Sequence, residues 1–454
     1  MPPAPLRGEA ALIRAFGGLA LAAAVINIIV GGGIFRMPSA LAAEMGAAAP
    51  IAIFAGALAI VPIALCFAAV GSRTLATGGP YTYAGVAFGP FAGFIAGALM
   101  WISNFASSAG VAAALSVQVA NLVPALAAPI PRAMLLTGVY AVLYALNAFG
   151  VKLGARAIAT LAALKLTPLF ALVAVGLFFV DWHQIAFGIG DIPSWSVLGA
   201  SMVLVMFAYS GMETALVPSG ELTDPSRNVP RATLAAIALV VLLYFGLQVV
   251  GQGLIGHRLA TSGVPLADTA GALWPWGRTL LLLTACVSMT GFLLGNLLGS
   301  SRLLFALGRD GYLPASFARV SAKHRVPLLA LLVHAGLAWL LALGGTFDAL
   351  ALISGGSICL VYVLVSLAAW RTQAIDLNER GVPFVLPGGA LIPAIAVVAM
   401  GLIVATLSIR EWAAIGVAMM LLVVVYALLS ALRHGRRRLV GVINRGADGD
   451  QPPC

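Results

Sequence analysis

An all-helical membrane fold with about twelve spanning helices follows from three features of this sequence. Hydrophobic residues fill 61% of its 454 positions and charged residues 9%, against about 25% charged in an ordinary soluble domain. The apolar runs are continuous and mostly about 20 residues or longer, the length that crosses a bilayer as a helix. An outer-membrane barrel would show short alternating segments instead. Finally, the basic residues gather in alternate connections, as cytoplasmic loops do.

The spans fall at roughly 16–42, 48–71, 88–122, 132–150, 156–180, 196–219, 232–255, 277–305, 326–344, 348–370, 390–408 and 411–432. The apolar run from about Phe16 is too long for a signal-peptide core and lacks a cleavage site, so it is expected to remain as the first helix. With the N-terminus inside, nineteen Lys and Arg side chains fall on the cytoplasmic side and four (Arg132, Arg258, Arg278 and Arg410) on the outer side. Both termini are therefore expected in the cytoplasm of a multi-pass plasma membrane protein. The net charge of +10 is explained by this topology and calls for no nucleic acid. Arg436, Arg437 and Arg438 lie where anionic lipid is within reach. Cys66, Cys286 and Cys359 lie in apolar runs and Cys454 ends the chain, a pattern that suggests neither a disulfide framework nor a metal site.

The first span is interrupted. Residues 26–38 read INIIVGGGIFRMP, with Gly31, Gly32 and Gly33 in succession. Each glycine costs a helix about 1 kcal/mol relative to alanine, and in lipid the freed backbone groups need partners. One reading is a kink or a close-packing point for a neighbour. The other is a deliberately broken helix whose N–H groups bind an anion near the midplane. The sixth span repeats the theme, with Ser210 and Gly211 inside FAYSGMETAL and Pro218 after it. Breaks in corresponding positions of two halves point to a site between inverted repeats. Helices one to five (about 12–182) and six to ten (about 195–371) form those halves, helices eleven and twelve (about 390–433) lie outside, and 434–454 is a short basic tail.

Three ionisable residues fall within spans: Arg36, Lys165 and Glu213. Such groups are expensive in a bilayer and mark a pathway by default. Arg36 is placed to snorkel to an interface, whereas Glu213 is too short for that. Small residues at Gly93 and Gly97, and at Gly291, Gly295 and Gly299, read as helix-packing rows. The five histidines are scattered, without metal spacing, and no nucleophile elbow or phosphate loop is present. A catalytic constellation and a cofactor are not expected.

The stretches that carry this reading resemble the amino acid–polyamine–organocation superfamily of amino acid permeases. They are GGGIF at 31–35, GGPYTYAGVAFGPFAGFIAG at 78–97, FAYSGMETA at 207–215, GELTDPSRNVPRA at 220–232 and SRLLFALGRDGYLP at 301–314. The resemblance implies the LeuT-like fold, with helices one and six unwound around the substrate. It implies that an amino acid carboxylate is bound by the N–H groups at Gly31, Gly32 and Gly33. Many members have serine at the middle position, so here the backbone acts alone. The amino group falls to carbonyls at Ile28 or Ile29 and at Phe207 or Ser210, beside Gly211, with Phe207 as an aromatic gate. Lys165 stands where sodium-coupled relatives bind sodium, which implies sodium independence with either proton coupling or exchange. Glu213 relays protons, orients the break or bonds backbone. Arg36 occupies the place of an extracellular gating arginine, with Asp348 as its candidate partner. Arg73, Glu221 and Asp310 are candidates for inner-gate ion pairs, and Trp101, Asn104, Ser107 and Ser108 for the side-chain pocket.

The expected function is secondary active transport of a neutral amino acid by alternating access, as proton symport or as sodium-independent exchange. A channel suits two broken helices less well, and no signalling domain marks a transport-dead nutrient sensor. The expected partners are the amino acid, a proton and membrane lipid, with no obligatory protein partner.

Overall fold

The computed structural model describes residues 17–447, apart from 75, 150–154, 187, 189–192, 220, 221, 380 and 408. The first apolar run forms α1 (Gly18–Ile29), unwinds at Val30, Gly31 and Gly32, passes through one 3₁₀ turn (Gly33–Phe35) and resumes as α2 (Met37–Met45). Pro38 sits in the first turn of α2, where a missing N–H costs nothing. Next come α3 (Ala49–Gly71), α4 (Pro80–Phe88), α5 (Pro90–Leu122), α6 (Pro129–Ala148) and α7 (Ala155–Gly176). The second broken segment is α8 (Trp195–Tyr209) and the single turn α9 (Met212–Ala215). The chain continues through α10 (Pro225–Ile255), α11 (Pro265–Leu273), α12 (Gly277–Arg309), α13 (Leu328–Gly344), α14 (Phe347–Ala374), α15 (Leu391–Ala405) and α16 (Ile409–Ala447).

Among the described residues, nine segments are long and apolar enough to cross a membrane, and three shorter apolar helices bring the set to the expected twelve. The chain is thus an all-α multi-pass membrane protein. Several boundaries differ from the sequence reading. The segment before residue 232, outside the expected seventh span, is already helical from Pro225, with Pro230 inside α10. The short helices α4 and α11 were not anticipated, because nine residues are too few to read as a span. The last helix runs on past 432 to Ala447.

The two breaks lie against each other. Gly211 has φ +137°, and a Cβ there would stand 2.9 Å from the Ile29 nitrogen and 3.0 Å from the Ile28 carbonyl carbon. Only glycine tolerates both the backbone angle and the approach. The glycine rows of α12 face the same place: Gly291 and Gly295 pack on Asn27 and Ile28, and Gly299 on Thr214. Gly211→Ala is expected to lower stability by about 1–3 kcal/mol. The check is the thermal unfolding midpoint in detergent, with Gly401→Ala as control, since Gly401 has no neighbour within 4 Å. Equal midpoints for the two variants would mean the breaks do not pack in this way.

Candidate functional site

At the first break the helix loses the amide donors its last carbonyls would have used. Side chains from three other helices replace them. Lys165 of α7 points its ammonium at the Val30 carbonyl (2.7 Å), the Asn27 carbonyl (2.8 Å) and Asn27 Oδ1 (2.8 Å). Tyr244 of α10 donates to the Ile29 carbonyl at 2.8 Å, and Ser288 of α12 to the Val30 carbonyl at 2.7 Å. Asn27 in turn donates to the Gly291 carbonyl at 3.0 Å. The Lys165 side chain is buried, and each acceptor it meets is neutral.

On the far side of the break the backbone N–H groups of Gly32, Gly33 and Ile34 donate to no protein acceptor among the described residues. They form a short arc of donors. Each glycine faces a different helix: a Cβ at Gly31 would meet the Phe292 ring at 2.6 Å, one at Gly32 Val111 at 2.7 Å, and one at Gly33 the Ala208 Cα at 3.1 Å. The absence of a serine hydroxyl at Gly32 has a steric reason in Val111. The close-packing reading and the broken-helix reading of these glycines therefore describe the same residues.

At the second break the polarity is reversed. Glu213 turns back so that Oε1 accepts the Gly211 N–H at 2.8 Å, and Oε2 accepts the Tyr362 hydroxyl at 2.9 Å. The acid bonds backbone, one of its expected roles. The Phe207 carbonyl is occupied by the Ser210 N–H (3.2 Å) and hydroxyl (2.7 Å). Since Ile29 is also engaged, the carbonyls of Ile28 and Ser210 are the two of the four candidates that accept no hydrogen bond among the described residues.

The pocket candidates of α5 are largely claimed by neighbouring helices. Asn104 accepts from the Thr214 hydroxyl (2.9 Å) and donates to Ser300 (3.0 Å), so its amide spans α9 and α12. Ser300 leads on to Asn296, which bonds His334 Nε2 of α13 at 3.0 Å. Ser108 pairs with Tyr140, and Trp101 stacks on Phe105. Ser107 is buried. The sequence reading missed Asn27, Tyr244, Ser288, Tyr362 and Thr214. The available signal was a lone polar residue in an apolar span, but it does not reveal which way the residue faces.

Over one mouth of the site Phe207 packs edge-on against Phe347, with ring centroids 5.7 Å apart. Beside it Arg36 reaches Asp348 at 3.7 Å and the Gly263 carbonyl at 3.1 Å. The expected gating pair is thus in contact, tied also to the loop before α11. At the basic end Arg73 and Asp310 each meet residues outside the candidate trio. Arg73 is held by the carbonyls of Leu377 and Phe384 and lies 4.0 Å from Asp376, because the loop between α14 and α15 folds over it. Asp310 pairs with its neighbour Arg309 at 2.8 Å and accepts from Tyr81 at 2.6 Å. Burial, then the Asp310 carboxylate, push the Tyr81 hydroxyl well above its ordinary range, so it remains a donor. Glu221 lies outside the described residues.

Residues 16–429 match the amino acid permease family profile. The chain is 27% identical over 367 residues to the serine/threonine exchanger SteT of Bacillus subtilis, covering 78% of this chain and 82% of that protein. It is 25% identical over 417 residues to the branched-chain amino acid permease BcaP of the same organism, covering 86% and 87%. It is 30% identical over 367 residues to an uncharacterized transporter of Mycobacterium tuberculosis, covering 78% and 80%. The chain belongs to the amino acid permease family.

The Arg36–Asp348 contact yields a test. Arg36→Asp and Asp348→Arg are each expected to lower transport by about fivefold, an ion pair of this exposure contributing about 1 kcal/mol. The double swap is expected to recover most of the loss in an uptake assay. Additive loss in the double variant would exclude a direct pair.

Proposed function

We propose that the chain moves a neutral amino acid across the plasma membrane by alternating access, coupled to protons, with both termini cytoplasmic. The observation that carries the reading is the juxtaposition at the breaks. Among the described residues the N–H groups of Gly32, Gly33 and Ile34 at the first break have no hydrogen-bond partner, and neither do the carbonyls of Ile28 beside them and Ser210 at the facing second break. Amide donors at an opened helix suit a carboxylate, and free carbonyls suit an ammonium. An α-amino acid carries both, separated by one carbon.

The neighbours of the three glycines, Phe292, Val111, Ala208 and Phe207, are apolar. Glu213, the buried acid nearby, is already engaged by Gly211 and Tyr362. Such surroundings favour an uncharged side chain over a cationic one. Lys165 fills with a fixed positive charge the carbonyl cluster that a metal cation would otherwise occupy, which supports sodium independence. A buried ammonium that shares only neutral acceptors is also placed to exchange a proton during the cycle. Phe207, with Arg36 and Asp348 above it, serves as the outer gate. Exchange of one amino acid for another is the second reading, favoured by the similarity to a protein named as an exchanger.

Purified protein in liposomes separates the two. Labelled serine, threonine, leucine, lysine and glutamate are offered with and without an inward proton gradient, and with and without internal unlabelled amino acid. Concentrative uptake of a neutral substrate into empty vesicles under the gradient is the expected result, reduced at least about tenfold, or 1.4 kcal/mol, in Lys165→Ala. Uptake only against internal amino acid would replace symport with exchange. Uptake confined to lysine would overturn the neutral assignment.

A further inference from the structure

A cavity of about 520 Å³ lies apart from the breaks at the basic end of the bundle. Its walls come from α4 (Tyr81 and Val86), the end of α12 (Arg309 and Asp310), Tyr312 just beyond it, and Tyr426 of α16. On α16, Val423, Val424, Val425 and Leu428, close to Tyr426 in the chain, are exposed large apolar side chains. In a membrane protein that surface faces lipid. The cavity therefore sits between the bundle and a lipid-facing helix. Its level is the last turns of the apolar stretch Ile415–Ala431, where hydrocarbon gives way to headgroups.

The chemistry of the walls is specific. Tyr312 and Tyr426 stack with centroids 5.9 Å apart, Phe94 lies 5.5 Å from Tyr426, and Tyr81 meets Tyr312 at 6.4 Å. Beside these rings stands the Arg309–Asp310 pair, with side chains 21% and 34% exposed. Adjacent positive and negative charge, framed by aromatic faces and open toward an apolar side, complements a zwitterion that carries an ammonium, an anionic group and an apolar tail. A purely anionic headgroup would meet Asp310 with repulsion.

We propose that this cavity binds the headgroup of a zwitterionic aminophospholipid of the cytoplasmic leaflet, its phosphate toward Arg309 and its primary ammonium toward Asp310 and the tyrosine rings. The proposal rests on the orientation given above, but its test does not require transport. Asp310 also holds Tyr81 of α4, and Arg309 reaches the Thr77 carbonyl before α4. A bound headgroup would therefore steady α4 against α12.

The experiment is native mass spectrometry of the full chain released from detergent. Phosphatidylethanolamine, phosphatidylcholine and phosphatidylglycerol are added in equal amounts, and phosphoethanolamine and leucine are added separately as tail-free zwitterions. Gly85 lines the cavity, and a Cβ there meets nothing closer than Gly93 Cα at 3.8 Å, so the Cβ of Gly85→Leu is accommodated and the rest of its side chain competes for the space. Tyr426→Ala removes an aromatic wall, and Gly401→Leu is a control away from the site. Retention of phosphatidylethanolamine is expected to exceed the other lipids by about tenfold, or 1.4 kcal/mol. It is expected to be lost in Gly85→Leu and in Tyr426→Ala, each of which still unfolds cooperatively in detergent, and kept in Gly401→Leu. Equal retention of the three lipids, or undiminished retention in both cavity variants, would overturn the proposal. Binding of phosphoethanolamine or leucine as tight as that of the lipid would overturn it too, and assign the cavity to a soluble zwitterion.

Discussion

The hydrogen bonds of Lys165 are the interaction on which the rest of the site depends. A helix interrupted within a bilayer leaves carbonyls that neither water nor the next turn can satisfy. Here the Asn27 and Val30 carbonyls receive the lysine ammonium, Ile29 receives Tyr244, and Val30 also receives Ser288. These donors come from α7, α10 and α12. The unwound shape of the first helix is thus a property of four packed helices rather than of three glycines. With those carbonyls engaged, the N–H groups of Gly32, Gly33 and Ile34 and the Ile28 carbonyl remain the polar groups of this break without a hydrogen-bond partner among the described residues.

The second break is solved with the opposite charge. Glu213 accepts from Gly211, the residue that opens α9, and from Tyr362. Lysine therefore stands at the carboxyl end of a half-helix and glutamate at the amino end of another. Each sits where the backbone partial charges favour it. A buried ion normally loses more by leaving water than a partner returns, and here part of that loss is offset by backbone dipoles already aimed at it. Because Gly211 packs on Ile28 and Ile29, the two charged solutions act on one small volume.

The sequence made the span count, both breaks and the ionisable triad visible, because each violates what lipid permits. Three glycines, a lysine and a glutamate in apolar runs are exceptions that need a reason. Arg36 and Asp348 were paired by position and meet at 3.7 Å. Side-chain direction was the part that could not be read. Asn104, a natural pocket candidate, turns to Thr214 and Ser300, while Asn27, one turn before the break, holds the lysine. Helices hydrophobic on every face give no moment from which to orient a polar residue. The partners of Arg73 were hidden for another reason. The loop that captures Arg73 is more than three hundred residues away in the chain, and nothing local announces it.

The bonds at the breaks also differ in how easily they can be exchanged, and that ranks the motions open to the alternating-access cycle proposed above. Hydrogen bonds to a charged group contribute about 1.5–3 kcal/mol each, neutral ones about 0.5–1.5. The three Lys165 bonds make α1 and α7 the costliest pair to separate, so these helices are expected to move together. Ser288 contacts both Val30 and Gly31 carbonyls, at 2.7 and 3.2 Å, and a hydroxyl that already straddles two acceptors can shift from one to the other at small cost. The contact between α1 and α12 is therefore the natural sliding surface. It is also where the glycines of α12 leave no side chains to interlock, so the ladder of small residues and the one adaptable hydroxyl serve the same displacement.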